Sequence, residues 1–169
     1  MKKLSVVFGV AVFSLIFLTS VAWAVDKFAY VDVMRIASEY NKAKEYNKSI
    51  EQKATTYEAE IDKKLSEVKQ LQDKINLLSE KEKETKKTEM ETKVKDLQEY
   101  RRQKEVDLRK EDFENTKQIV DNIKDAIKRH AEKEGYTLVF DDRALVYQGK
   151  GMDITDKIIE TLNKEYIKK

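Results

Sequence analysis

The sequence predicts a mostly helical α+β fold: a long antiparallel helical hairpin of coiled-coil period, carried on a small β body that closes into a barrel with copies of itself. Three observations predict it. Apolar residues recur every three or four positions through a highly charged segment, the 169-residue chain contains no proline, and three of its four glycines gather between Gly135 and Gly151 among β-forming residues. Absence of proline leaves long helices uninterrupted. The late glycines mark where helix gives way to turns and strands.

Residues 1–24 stand apart. Lys2 and Lys3 precede an almost wholly apolar run from Leu4 to Leu18, and Ala22-Trp23-Ala24 supplies the small-x-small pattern read by signal peptidase. Cleavage after Ala24 is expected. The alternative is an uncleaved anchor, but the run falls short of the roughly 20 residues that cross hydrocarbon. Those two lysines account for the whole formal charge of +2, so the remaining chain is formally neutral. Bulk charge therefore gives no footing for nucleic acid. With no cysteine either, an exported chain must draw its stability from helix pairing or oligomerisation.

A first strand is expected in "KFAYVDV", Lys27 to Val33, with a helix beginning near Met34. From Ile36 the apolar positions run Tyr40, Ala43, Tyr46, Ile50, Ala54, Tyr57, Ile61, Leu65, Val68, Leu71, Ile75 and Leu78, a mean step of 3.5 residues. That is the period of a left-handed coiled coil. The pattern lapses over "SEKEKETKKTE", Ser79 to Glu89, and resumes at Met90, Val94, Leu97 and Tyr100. Nearly equal arms on either side make the lapse the expected tip of a hairpin, near 79–89. One continuous rod is the rival, since no glycine or proline forces a turn there. Between Arg101 and Gln118 only Val106, Leu108 and Phe113 are large and apolar, so the arms are expected to flex along their middle and outer parts.

Beyond the arm, "YTLVF" and "ALVY" around the polar "DDRA" suggest a β-hairpin, Tyr136–Phe140 and Ala144–Tyr147. Gly135 would close the arm as its C′ residue, and a last helix follows Asp153, with Ile154, Ile158, Leu162 and Tyr166 four apart. The expected organisation is thus a signal peptide at 1–24, a β-barrel and oligomerisation body from 25–40 and 134–169, and an arm at 41–133. None of the three strands alternates cleanly, so both faces should be covered. About 50 residues outside the arm are too few for that alone. A ring of identical subunits contributing to one closed sheet would cover both faces and remove the open edges.

Taken together, the signal peptide, "FAYVDVMRIASEY", the charged helical hairpin and "GYTLVFDDRALVYQGKGMDITDKIIETLN" resemble the Skp/OmpH family of periplasmic chaperones. The resemblance covers essentially the whole chain after residue 24, and its two ends are the specific part. It implies a homotrimer whose small β-barrel carries three helical tentacles, which hold unfolded outer-membrane proteins in a central cavity without ATP. On that reading Tyr30, Val31, Val33, Leu138, Val139, Phe140, Leu145, Val146 and Tyr147 would make the trimer contacts. Client contacts on the arm would come from Tyr57, Ile61, Leu65, Val68, Leu71, Ile75, Leu97 and Tyr100, positions whose spacing equally suits packing in the helix seam. The partners implied are unfolded outer-membrane proteins, further copies of the chain, and peripheral contact with membrane lipid. Family members are often strongly basic, whereas this chain is neutral after residue 24.

Signals for an enzyme are nearly absent. One histidine and no cysteine leave no thiol nucleophile and no Cys/His zinc cluster, and no phosphate-binding glycine loop occurs, so no catalytic residue, metal or cofactor is expected. His130, near the C-terminal end of an arm, reads as structural, through a favourable helix-dipole interaction or packing against the base. Asp141-Asp142 reads as turn chemistry rather than a cation site. The rival function is an exported coiled-coil scaffold or spacer bridging folded partners.

Overall fold

The computed structural model describes residues 26–149 and 151–167, so the expected signal peptide lies outside the described residues. The chain is mostly helical around a two-stranded sheet. Strand β1 (Phe28–Val31) leads into helix α1 (Val33–Glu39) and helix α2 (Asn41–Ile75). Helix α3 (Glu80–Glu134) returns to strand β2 (Leu138–Asp141), a 3₁₀ turn at Asp142–Ala144, and helix α4 (Thr155–Ile167).

β1 and β2 pair in parallel, Phe28 with Leu138 and Val31 with Asp141, so the whole arm is the crossover between them. Tyr30 also bonds on its other side to the chain entering α4: its N–H donates to Met152 at 2.9 Å and its carbonyl accepts from Ile154 at 3.1 Å. β1 is consequently the inner strand.

Asp32 starts α1, its Oδ1 accepting the Arg35 N–H at 2.8 Å. The expected continuous helix breaks at Tyr40, which is extended (φ −70°, ψ 119°). The cause is tertiary. Asn163 of α4 bonds both sides of the break, accepting from Asn41 N–H at 2.8 Å and donating to the Glu39 carbonyl at 3.2 Å.

α2 and α3 form the antiparallel pair, which settles hairpin against rod. Its turn occupies Asn76–Ser79, ahead of the expected tip at 79–89, and residues 80–89 are helical. The reason is a start signal, Ser79-Glu80-Lys81-Glu82, in which the Glu82 carboxylate accepts from the Ser79 hydroxyl and, at 3.4 Å, from its N–H. Ion pairs Lys83–Glu80 and Lys86–Glu89 then support a helix that is polar all round. Lack of apolar residues meant lack of a packed face, not lack of helix. The arms are also unequal, 35 and 55 residues, because α3 runs on past the root of α2 into the body.

The expected hairpin of Tyr136–Phe140 with Ala144–Tyr147 does not form. Asp141 accepts from Arg143 N–H at 3.1 Å and clamps its guanidinium at 3.0 and 2.7 Å, which turns the chain into a single 3₁₀ turn. "DDRA" offers no Gly or Asn to take the positive φ of a tight hairpin. Leu145 to Gln148 therefore leave the sheet.

The core joins Ala29 and Val31 of β1, Ile36 of α1, Tyr40 and Ala43 at the root of α2, Ile119, Ile123 and Ala126 of α3, and Ile154, Ile158, Ile159 and Leu162. A protomer thus makes a core of its own, which the count of 50 body residues did not anticipate. The last four turns of α3 supply the missing apolar area.

Candidate functional site

Burial on β1 alternates: Ala29 and Val31 face the core, while Phe28 and Tyr30 point away from it. Paired residues of parallel strands share a face. Leu138 and Phe140 therefore join Phe28 and Tyr30 on the outer side of the sheet, where the Phe28 and Phe140 rings stand 6.4 Å apart. Phe28, Leu138 and Phe140 stay 40%, 51% and 38% exposed and Tyr30 is half-buried, so this apolar face is largely uncovered, and β2 bonds to β1 along one edge only. The expectation that both faces are covered fails within a protomer: helices cover one.

Of the expected assembly residues, Tyr30, Leu138, Phe140, Val146 and Tyr147 lie on the outside. Val146 and Tyr147 are 107% and 87% exposed, and Leu145 before them is half-buried with extended dihedrals (φ −109°, ψ 127°). Val31 is inside the core, and Val33 and Val139 pack partly against it. Phe28 was missed, although its position two residues before Tyr30 places it on the same face.

The arm seam has apolar packing at both ends and little between. Leu71, Ile75 and Leu97 are buried in its outer part, Tyr57, Ile61, Val68 and Tyr100 are half-buried, and Leu65 is exposed. Val106 and Phe113 also face solvent. Polar contacts fill the gap. Lys53 bonds Glu111 at 2.5 and 2.7 Å, Glu67 meets Lys93 at 3.3 Å, and the Tyr100 hydroxyl bonds Glu60. Lys104 sets its ammonium 4.6 Å from the Tyr57 ring centroid and 5.4 Å from that of Tyr100, with Lys64 5.0 Å from the latter. Spacing cannot reveal that two tyrosines on opposite helices share one ammonium.

At the arm root the helices leave an apolar groove of about 370 Å³, with Met34, Ala37, Tyr46, Ile50, Ile119 and Val120 among its lining. Two titratable features lie nearby in the body. Hydrogen bonds from the Arg143 side chain and N–H hold the Asp141 carboxyl well below the usual range, while desolvation pushes Asp142 up. His130 is pushed down by burial, with Lys157, Lys133 and Lys27 acting the same way against Glu134. The ring packs on Tyr136, in keeping with a packing role.

No helix among the described residues is long and apolar enough to cross a membrane. Among curated proteins none matches the chain. In a solved crystal structure from Caulobacter crescentus CB15, described as a candidate outer membrane chaperone (OmpH-like), the same architecture recurs: the TM-score is 0.76 over 83% of this chain and 86% of that one, at 11% identity. Identity that low speaks for the fold. A family model described as outer membrane protein (OmpH-like) matches residues 27–162, from the start of β1 into α4. Spanning nearly every described element, that match places the chain in the OmpH-like outer membrane protein family.

Proposed function

We propose that the protein is an exported, ATP-independent holdase that assembles as a homotrimer in the periplasm and shelters unfolded outer-membrane proteins between its arms. The observation that carries this reading is the exposed apolar face of Phe28, Leu138 and Phe140, with the half-buried Tyr30 beside them, on a sheet whose other face is already packed. Copies of the chain are the natural cover. The free edge of β2 and the solvent-facing Val146 and Tyr147, which follow an extended Leu145, are complementary, so one copy's segment can extend the next copy's sheet in a head-to-tail ring.

Three arms brought together by such a ring would enclose a space between them. Apolar contacts for a client are supplied by the root groove and by the unburied Leu65, Val106 and Phe113, rather than by Leu71, Ile75 and Leu97, whose side chains the seam has taken. Each contact is weak, and holding arises from many at once. Release needs no nucleotide, because folding of the client in its membrane withdraws it from the equilibrium. Membership of the family and the architecture shared with the Caulobacter chain, itself described as a candidate chaperone, support the reading.

The deciding experiment pairs a solution mass with an aggregation assay. A trimer that keeps a diluted, unfolded β-barrel protein in solution supports the proposal. A monomer or dimer with no such effect rejects it and leaves the coiled-coil scaffold.

A further inference from the structure

His130 is the chain's single histidine, and it sits where the arm enters the body. Its Nε2 is buried and has no hydrogen-bond partner. The imidazole stacks on Tyr136, with centroids 6.2 Å apart and planes at 25°. Lys27, just before β1, holds its ammonium 4.1 Å from the same Tyr136 ring centroid and donates to the Glu134 carbonyl at 3.0 Å. Backbone bonds tie the same joint together: Tyr136 N–H to the Ala131 carbonyl at 2.9 Å, and Thr137 N–H to the Lys27 carbonyl at 2.7 Å.

A proton on this ring would be badly placed. Nε2–H would find no acceptor, and burial withholds water. The charged groups around it come from several neighbouring segments: Glu134 and Lys133 from α3, Lys157 from α4, and Lys27 from the chain just before β1. Three repel a cation and one attracts it. Tyr136, moreover, already serves one ammonium.

We propose that the Lys27–Tyr136–His130 stack is an acid-sensitive latch, in which protonation of His130 loosens the joint between the arm and the two strands. Burial, the first of the influences on the ring, keeps its proton affinity below the ordinary value of 6.5. The unfolded or unlatched chain therefore binds the proton more readily than the latched one. Latch stability is fully present above about pH 6.5 and is lost as pH falls from there toward the depressed native value. Histidine alone brings such a change into the mildly acidic range without help from other groups.

Only the functional consequence, weaker client holding in mild acid, rests on the chaperone reading; the latch is measured without a client, so either can fail alone. The whole protein, purified without a histidine tag, is followed by amide hydrogen exchange at Tyr136 and Thr137 at about pH 7.5 and about pH 5.5, corrected for intrinsic rates. Expected is a several-fold greater loss of protection at these amides than in the core around Ile123, and its disappearance in His130→Gln and His130→Phe. An equal loss in both variants overturns the latch. Should neither variant fold, the single histidine resonance of the unaltered protein decides: titration below the free-histidine value supports the proposal, and titration at or above it removes it.

Discussion

The side-chain oxygen of Asn163 lies 2.8 Å from the backbone nitrogen of Asn41, and this contact fixes where the arm begins. A helix running on from α1 would leave the body in another direction. With Tyr40 extended and the Asn163 nitrogen on the Glu39 carbonyl, backbone groups orphaned by the break are satisfied from α4. Asn163→Ala should cost about 1–3 kcal/mol in urea unfolding, since it strands two polar groups. Asn163→Asp keeps the acceptor and should cost less.

Core and mid-arm should respond very differently to truncation. Ile123→Ala or Ile158→Ala, each removing a fully buried side chain, should destabilise by about 2–5 kcal/mol. Phe113→Ala, at a position 70% exposed, should stay within about 0.5 kcal/mol. Thermal or urea unfolding of the three variants is a direct check.

Polar packing in the middle of the seam predicts a salt-sensitive arm. The chain has no cysteine, so pairs introduced at Thr55 and Arg109, and at Lys44 and Asp121 near the root, can be spin-labelled cleanly. Distances should be broader at the first pair and broaden further in high salt, while the root pair stays narrow. The Lys53–Glu111 pair is partly exposed, at 43% and 35%, and is worth at most about 1 kcal/mol. Equal widths at both pairs would contradict a weak middle.

Gly135 ends α3 with φ of +72° and has no atom near an added Cβ. Gly135→Ala should therefore cost about 1–2 kcal/mol through the backbone alone. Gly135→Asn, better suited to that conformation, should recover part of it.

Charge on the bare sheet face should separate assembly from folding. Leu138→Glu and Phe140→Glu should lower the solution mass and leave helicity unchanged, because neither side chain belongs to the protomer core. A mass unaffected by both substitutions would show that another surface joins the copies.

Periodicity alone made the hairpin legible. An apolar residue every 3.5 positions dictates a seam, and a gap in that seam dictates weak cohesion, wherever partners lie. The tip was misplaced because periodicity reports a packed face, and residues 80–89 form helix without one. The start signal at Ser79 and Glu82 was there to be read.

What the sequence by itself determined is therefore local and periodic: two long helices, a short strand at each end, a left-handed glycine closing the arm. Tertiary structure decided the rest, because it depends on groups far apart in the chain meeting. Asn163 breaks a helix more than a hundred residues away, β2 pairs with β1 instead of its neighbour, and the root of α3 completes a core that the body lacks. One strand face is used inside the protomer and the other is left bare, a division set by which side the helices fall on and not by any residue's own preference.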